Sequence, residues 1–262
     1  MSTAIALEAR AISWHVRGQV LIDQVSLQVQ SGEMLGLIGP NGSGKSSLLR
    51  LLAGVLKPQQ GQVLLGGQPM HQQPRRSIAR QLAFVTQMAD TLDDITVADA
   101  VELGRTPWLS ALQPLSIQDQ GIVQQAIEAV GLQAKAQCAW STLSGGERQR
   151  AHIARALAQQ PGVLLLDEPC NHLDIHQQLS LMQLIRSLPI TQVVALHDLN
   201  QALACDRIAV MHQGRLVELG APHEVLSPDL LQQVFKVRAH TLIDPEDGSR
   251  VLHFRPLSAS KT

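Results

Sequence analysis

A glycine-rich loop near the start of this 262-residue chain restricts the folds that the chain can adopt. The loop reads Gly39-Pro40-Asn41-Gly42-Ser43-Gly44-Lys45-Ser46-Ser47 and fits the pattern G-x-x-x-x-G-K-[ST]. It follows an apolar run at residues 34–38 and precedes an amphipathic run at residues 46–52, which predicts a buried strand, a loop and a helix. Backbone N–H groups of such a loop converge on phosphate oxygens at a helix N-terminus. The sequence therefore predicts a nucleotide-phosphate site.

Two side chains of this loop have predicted roles of their own. Lys45 can reach the β- and γ-phosphates of a bound nucleotide. Ser46 can offer its hydroxyl to Mg²⁺, the ion that bridges and neutralises those phosphates. The expected ligand is thus a nucleotide with its magnesium ion.

Composition limits the classes of protein to consider. Hydrophobic residues make up 45% of the chain and charged residues 16%, which predicts a compact globular protein. The formal net charge of −1 provides no overall attraction for nucleic acid, so no nucleic-acid partner is expected. Cys138, Cys170 and Cys205 form no C-x-x-C pair and favour reduced thiols of a cytosolic protein. With neither a leader peptide nor a membrane span in the sequence, we expect a soluble chain whose membrane role, if any, depends on a partner.

The pattern along the chain predicts an α/β core interrupted by a block of helices. Strands are expected at residues 5–11, 20–29, 62–65, 82–85, 163–166, 192–196 and 207–211. Helices are expected after the phosphate loop and at residues 96–104, 117–130, 144–159 and 222–237, and a terminal hairpin pairs 242–243 with 251–252. We therefore assign residues 1–87 and 161–240 to a nucleotide-binding core, 88–160 to a helical subdomain and 241–262 to a C-terminal hairpin and tail.

A second constellation follows the apolar run at residues 163–166. This run ends in Asp167 and Glu168, which a parallel sheet would present at its carboxyl edge, where ligands collect. Asp167 is placed to hold Mg²⁺, directly or through water. Glu168 is placed to orient or deprotonate an attacking water.

The segment Leu143-Ser144-Gly145-Gly146-Glu147-Arg148-Gln149-Arg150 resembles the signature motif of ATP-binding cassette (ABC) ATPases. Ser144 and Glu147 also have the spacing of a capping box, and the bare glycines at 145 and 146 make the helix start a second anion site. The resemblance covers residues 5 to about 237, and Glu147 stands where the family most often has Gln. It implies a P-loop ABC ATPase fold with a RecA-like core sheet, an antiparallel β-subdomain and an inserted helical subdomain. It also implies that two copies enclose two ATP molecules, each signature facing the γ-phosphate bound by the other copy.

The same resemblance assigns further residues. Gln87 corresponds to the glutamine that touches Mg²⁺ or the water, Asp174 to an aspartate at the dimer seam, and His197 to the histidine that contacts the γ-phosphate. Trp14 stands where the family has an aromatic residue stacked on adenine, although packing within its own sheet is the alternative. Cys170 replaces the usual Thr.

Other aromatic and histidine residues support weaker hypotheses. His172 and His176 have the i,i+4 spacing of a metal pair, but no third ligand accompanies them and we interpret them as loop and helix-surface residues. Trp108 lies in a Gly-Arg-Thr-Pro-Trp segment at residues 104–108 that resembles the ATPases of iron-chelate uptake. Packing at a helix end explains Trp108 equally well.

The function implied by the resemblance is ATP hydrolysis that powers import. A lone cassette without a membrane span resembles the ATPase subunit of an importer, docked peripherally on the cytoplasmic face of a bacterial inner membrane. Its partners would be a second copy, a permease dimer and, indirectly, a substrate-binding protein. A ferric siderophore is the first hypothesis for the cargo, with haem or cobalamin as the alternative.

Two other classes remain open. A soluble ABC ATPase acting on DNA or ribosomes usually has tandem cassettes or long coiled-coil insertions, which this chain lacks. A P-loop kinase would need neither the signature segment nor a second cassette. Substitution of Ser144 by Arg separates a kinase from a sandwich dimer. The kinase should keep its turnover, whereas the dimer should lose it through clash and repulsion at the γ-phosphate site.

Overall fold

The computed structural model describes residues 4–86, 95–110, 114–246 and 248–257. Its strands are β1 (Ile5–Val16), β2 (Gln19–Gln30), β3 (Met34–Ile38), β4 (Gln60–Leu65), β5 (Gln68–Pro69), β6 (Leu82–Val85), β7 (Val163–Asp167), β8 (Thr191–Ala195), β9 (Arg207–His212), β10 (Arg215–Gly220), β11 (Val237–Ile243) and β12 (Arg250–Pro256). Its α-helices are α1 (Lys45–Leu52), α2 (Arg75–Gln81), α3 (Val97–Glu102), α4 (Ile117–Ala129), α5 (Gly145–Ala158), α6 (Ile175–Ser187), α7 (Leu199–Ala202), α8 (Pro222–Val225) and α9 (Pro228–Phe235).

A six-stranded sheet forms the centre of the molecule, with strand order β10-β9-β3-β8-β7-β6. Strand β10 is antiparallel to β9, and the other neighbouring pairs are parallel. Every residue of β3, β7 and β8 is buried, as expected for strands covered on both faces. Because these three strands are parallel, the loops that follow them lie at the same edge of the sheet.

An antiparallel sheet of order β2-β1-β4-β5 covers one side of this core. Its apolar side chains join those of α1 and of alternate positions on the central strands in one buried cluster. Fully buried members of that cluster include Leu7, Ile22, Leu35 and Leu48. The loop between β3 and α1 thus joins two elements whose apolar side chains share this buried cluster.

The helical block packs on the opposite side of the core. Helices α3, α4 and α5 all begin with a capping box, at Thr96, Ser116 and Ser144 respectively. In each box the side chain of the cap residue accepts a hydrogen bond from the backbone N–H three residues later. The side chain of that later residue accepts one from the backbone N–H of the cap residue. The three helices contact one another, and their apolar faces belong to a second buried cluster that includes Ile127, Ile153 and Leu166.

The C-terminal hairpin is attached to the core by a side chain. Asn200 Nδ2 donates to the carbonyl oxygen of Leu252 at 3.2 Å, and Leu252 N donates to Asn200 Oδ1 at 2.7 Å. Leu252 is the buried residue of β12, while most other hairpin side chains are exposed. The predicted hairpin is therefore confirmed, with longer strands than the sequence indicated.

One predicted element is wrong. Residues 222–237 do not form a single helix, because α8 ends at Val225 and α9 begins at Pro228 after the cap residue Ser227. Proline is tolerated at a first helical position but not in a helix interior. Val237 already belongs to β11. Two further elements of the structure, α2 and β10, were not predicted from the sequence.

Within the part of the chain that the structure describes, no helix is long and apolar enough to cross a bilayer.

Gly104 allows the helical block to pack closely. A Cβ atom built on this residue would lie 2.1 Å from the Arg155 carbonyl oxygen of α5, whereas one built on Gly121 in α4 would meet nothing within 4 Å. Gly104→Ala should lower the free energy of unfolding by about 1–3 kcal/mol through overpacking. Gly121→Ala should raise it by up to ~1 kcal/mol through helix propensity.

Thermal unfolding of the two variants and the parent chain measures this difference. The Gly121 variant controls for replacing a glycine with alanine in the same block. Equal melting temperatures for the two variants would contradict the close contact between Gly104 and α5.

Candidate nucleotide-binding site

The phosphate loop connects β3 to α1 and requires its glycines. Gly39 and Gly44 have φ of 152° and 105°. A Cβ atom at Gly39 would lie 2.2 Å from the Met211 carbonyl oxygen, and one at Gly44 would lie 2.8 Å from that of Leu21. Neither position can hold another residue without a backbone shift, because left-handed φ and a close backbone approach coincide there.

Lys45, the first residue of α1, reaches back across the loop. Its Nζ donates to the carbonyl oxygens of Gly39 at 2.8 Å and Pro40 at 3.3 Å. Burial lowers the pKa of Lys45, and the carboxylates of Glu168 and Asp167 oppose that shift. An anion entering the loop would therefore meet a cation that lacks a close carboxylate partner among the described residues.

Ser43 adds an unpaired donor to the loop. Its Oγ is buried and has no hydrogen-bond partner among the residues that the structure describes. A buried hydroxyl without a partner costs free energy until a ligand satisfies it. This group fits a phosphate ligand.

Ser46 joins the loop to the second constellation. Its Oγ donates to Asp167 Oδ1 at 3.0 Å. Asp167 ends β7, which is separated from β3 by β8 in the sheet. Burial raises the pKa of Asp167, and the hydrogen bond from Ser46 opposes the shift. A serine hydroxyl and a carboxylate oxygen are ligands that Mg²⁺ prefers, so this pair can hold the ion.

Glu168 has both carboxylate oxygens engaged. Its Oε1 lies 2.5 Å from His197 Nε2, and its Oε2 accepts a hydrogen bond from Asn171 Nδ2 at 2.6 Å. Glu168 itself has φ of 52°, an unfavourable value for a residue with a side chain, which costs on the order of 1–3 kcal/mol. This turn directs the carboxylate back over the sheet edge instead of continuing the strand.

These groups surround one cavity of about 480 Å³. Its lining residues are Leu21, Asn41, Gly42, Ser43, Gly44, Lys45, Ser46, Ser47, Glu168, Asn171 and His197. A larger cavity of about 740 Å³ lies beside α7, α8 and the C-terminal hairpin, but no phosphate-loop residue lines it. We propose the smaller cavity as the nucleotide site because the phosphate-loop donors and Glu168 line it, and Ser46 in its lining is hydrogen-bonded to Asp167.

The predicted signature residues lie elsewhere. Ser144 Oγ accepts the Glu147 amide hydrogen at 3.3 Å, and Glu147 Oε2 accepts that of Ser144 at 2.9 Å. Lys135 Nζ lies 2.6 Å from Glu147 Oε1, and hydrogen bonds from Lys135 and then from the Ser144 backbone hold the pKa of Glu147 below its usual range. Ser144 and Gly146 line a separate cavity of about 230 Å³. The structure does not bring them to the phosphate loop of the same chain.

Three further predicted site residues, Asp174, Gly145 and Trp14, do not line the 480 Å³ cavity. Asp174 caps α6, since its Oδ1 accepts the Gln177 amide hydrogen at 2.8 Å. Gly145 is open to its surroundings, with nothing within 4 Å of a Cβ built on it. Trp14 is half-buried, packs against the apolar cluster of the antiparallel sheet and is outside the lining of the 480 Å³ cavity. Gln87 lies outside the described residues.

Trp108 is accounted for by packing. Its Nε1 donates to the Gln159 carbonyl oxygen at 2.9 Å. The guanidinium carbons of Arg80 and Arg105 lie 4.6 and 5.1 Å from its ring centroid. Trp108 therefore joins α2 to the end of α5.

Asn171 is a site residue that sequence reasoning missed. It follows the acidic pair by three positions, and only the left-handed turn at Glu168 brings its side chain back to the carboxylate. The sequence shows only an asparagine in the loop after the two acids, and an asparagine is common in loops without any functional role.

A buried parallel sheet with a glycine-rich phosphate loop, a lysine and a Ser–Asp pair at its carboxyl edge defines a P-loop nucleotide-binding protein. The family profile for ABC transporters matches residues 22–171. The chain is 40% identical over 245 residues to a petrobactin import ATP-binding protein of Bacillus anthracis, covering 92% of this chain and 89% of the relative. It is 39% identical over 254 residues to a hemin import ATP-binding protein of Rhodopseudomonas palustris, covering 92% of each.

A solved structure described as an inward-facing metal-chelate type ABC transporter is also similar, with a TM-score of 0.83, 26% identity and coverage of 97% of this chain and 98% of that chain. The chain belongs to the ABC transporter family and is an ATPase of that family. The predicted family and fold class are confirmed.

Lys45→Ala should weaken ATP binding at least tenfold, because it removes the only lysine that lines the described cavity. Lys57→Ala, which removes an exposed lysine outside that cavity, serves as the matched control. Titration calorimetry with both variants measures the effect. An unchanged ATP affinity for the Lys45 variant would contradict the assignment of the loop.

Proposed function

We propose that this chain is the ATP-hydrolysing subunit of an importer for a ferric siderophore, and that it works as a pair of identical copies on a separate permease. The observation that carries the proposal is the incomplete site. One chain has Lys45, Ser46, Glu168 and His197 around one cavity, with Asp167 hydrogen-bonded to Ser46. The Ser144 helix start lines another cavity.

Phosphate binding is assigned to the loop from Gly39 to Ser47. Its amides and the start of α1 hold the β- and γ-phosphates, and Lys45 moves its donors from the loop carbonyls to phosphate oxygens. Ser46 and Asp167, together with Gln87, would hold Mg²⁺. When bound, that ion neutralises phosphate charge.

Hydrolysis is assigned to the turn after β7. Glu168 accepts a proton from, or orients, the attacking water, and His197 contacts the γ-phosphate. These two side chains contact each other in the structure, so His197 leaves Glu168 Oε1 when it contacts a phosphate. Positioning and charge neutralisation account for most of the catalysis in phosphoryl transfer.

The second copy completes the site. Ser144 caps α5, a helix of 14 residues that begins at Gly145, and the backbone amides of this helix start bind the γ-phosphate held by the partner. Asp174 would lie at the seam between the copies. Trp14 would stack on adenine, with packing in its own sheet as the alternative.

The proposed cargo rests on the relatives. Petrobactin, the ligand in the name of the Bacillus anthracis protein, is a siderophore, and we extend that cargo class to this chain. The hemin import relative, at nearly equal identity, favours haem as the second candidate, and cobalamin remains a third. A permease dimer would provide the membrane passage and a substrate-binding protein would deliver the chelate, with this subunit peripheral on the cytoplasmic face of a bacterial inner membrane.

The subdomain division also belongs to the proposal. Residues 1–87 and 161–240 would act as the nucleotide-binding core, 88–160 as the helical subdomain that contacts the permease, and 241–262 as the C-terminal hairpin and tail. The packing of α3, α4 and α5 into one block supports the central part of this division.

Glu168→Gln should bind ATP yet lose at least a hundredfold in turnover, because the amide cannot accept the water proton. The stalled ATP state should then elute as a dimer in gel filtration, while the same variant without ATP should not. Wild-type turnover by this variant would remove Glu168 from the catalytic role.

Cargo is tested with the complete transporter. The tagged chain is purified from detergent-solubilised native membranes, and the copurifying membrane protein is identified by mass spectrometry. The complex should show ATPase activity that a ferric siderophore stimulates and that haem and cobalamin do not. Stimulation by haem alone would replace the siderophore, and recovery of ribosomal or DNA-bound partners without a permease would overturn the importer proposal.

A further inference from the structure

The turn that follows β7 holds the Glu168 carboxylate from two sides. His197 Nε2 lies 2.5 Å from Oε1, and Asn171 Nδ2 donates to Oε2 at 2.6 Å. We propose that Asn171 is a positioning residue for ATP hydrolysis, which anchors Oε2 of Glu168 so that Oε1 faces the phosphate-loop cavity. This inference rests on the role proposed above for Glu168.

The two partners of Glu168 differ in how firmly they are placed. Asn171 belongs to the same short turn, and its backbone N–H donates to the Glu168 carbonyl oxygen at 3.2 Å. His197 comes from another strand end, and 37% of its side chain is exposed, against 12% for Glu168. The contact with Asn171 is therefore local, while the contact with His197 depends on the position of a separate loop.

Asn171 therefore anchors the Glu168 carboxylate, and His197 is the partner that exchanges. Water must take over Oε1 when His197 turns to a phosphate, and the carboxylate must not rotate during the exchange. The hydrogen bond from Asn171 to Oε2 fixes the rotation about the last side-chain bond. An anchored carboxylate then accepts the water proton on one defined oxygen.

An amide suits this task chemically. Its NH₂ group donates a hydrogen bond but does not titrate, so it holds the carboxylate without competing for the proton that Glu168 must receive. An aspartate in the same place would present a second acceptor at about the same distance and repel Glu168.

The backbone of this turn does not depend on the Asn171 side chain. Glu168 has φ of 52° and His172 has φ of 64°, and the Asn171 N–H closes the turn between them. Removal of the Asn171 side chain leaves these backbone features in place. A catalytic defect in such a variant would therefore report on the carboxylate.

The test compares Asn171→Ala, Asn171→Asp and Asn171→Gln by kcat, KM, ATP affinity and melting temperature. Loss of the donor should reduce kcat by about 10- to 100-fold in the Ala and Asp variants, a range typical of misplaced catalytic groups. ATP affinity and melting temperature should change little. The Gln variant, which keeps the donor on a longer side chain, should retain more activity than the nearly isosteric Asp variant.

The order of the last two variants is decisive. A purely structural asparagine would tolerate Asp better than the larger Gln, and that order of kcat values would overturn the inference. His172→Asn, an exposed change in the same loop, is the matched control and should keep wild-type kcat.

Glu168→Gln is measured in parallel to separate two failures. If that variant loses turnover while the Asn171 variants keep wild-type kcat, the positioning role is wrong and the proposed function stands. If Glu168→Gln itself keeps turnover, the catalytic role of Glu168 fails and the inference about Asn171 fails with it.

Discussion

The hydrogen bond from Ser46 to Asp167 joins two parts of the site that are 121 residues apart in sequence. It forms because β3 and β7 run parallel in one buried sheet, separated by β8, so the loops after them meet at one edge. All of the proposed chemistry depends on this alignment. The proposed phosphate loop, the acids proposed to hold the ion and activate water, and the histidine after β8 converge because three apolar strands end together.

Much of this arrangement was readable from local sequence. The phosphate loop, the apolar strand before Asp167 and the capping box at Ser144 each carry their signal within a few residues, and each is present in the structure. Two features were missed for different reasons. Residues 222–237 were predicted as one helix although the local pair Ser227-Pro228 starts a new helix there. The role of Asn171 depends on a left-handed turn at Glu168 that no local pattern predicts.

Contacts within the chain engage several of the groups proposed to act on phosphate and water. Lys45 is bonded to carbonyl oxygens of its own loop, and Glu168 is bonded to His197 and Asn171. In the proposed function, nucleotide replaces the first of these contacts, and His197 releases Glu168 before the two residues act on phosphate and water. In the same proposal the donors at Ser144 come from a second chain, because Ser144 lines a separate cavity of its own chain, and hydrolysis is thereby coupled to the approach of two copies.

The central claim is therefore that each catalytic site is shared between two copies, and mixing two inactive variants tests it most directly. Lys45→Ala damages the phosphate loop, and Ser144→Arg damages the signature surface. Neither variant should hydrolyse ATP alone, but an equal mixture should regain turnover, because a mixed dimer contains one site with both parts intact. Wild-type turnover by Ser144→Arg alone would show that one chain suffices and would contradict the account.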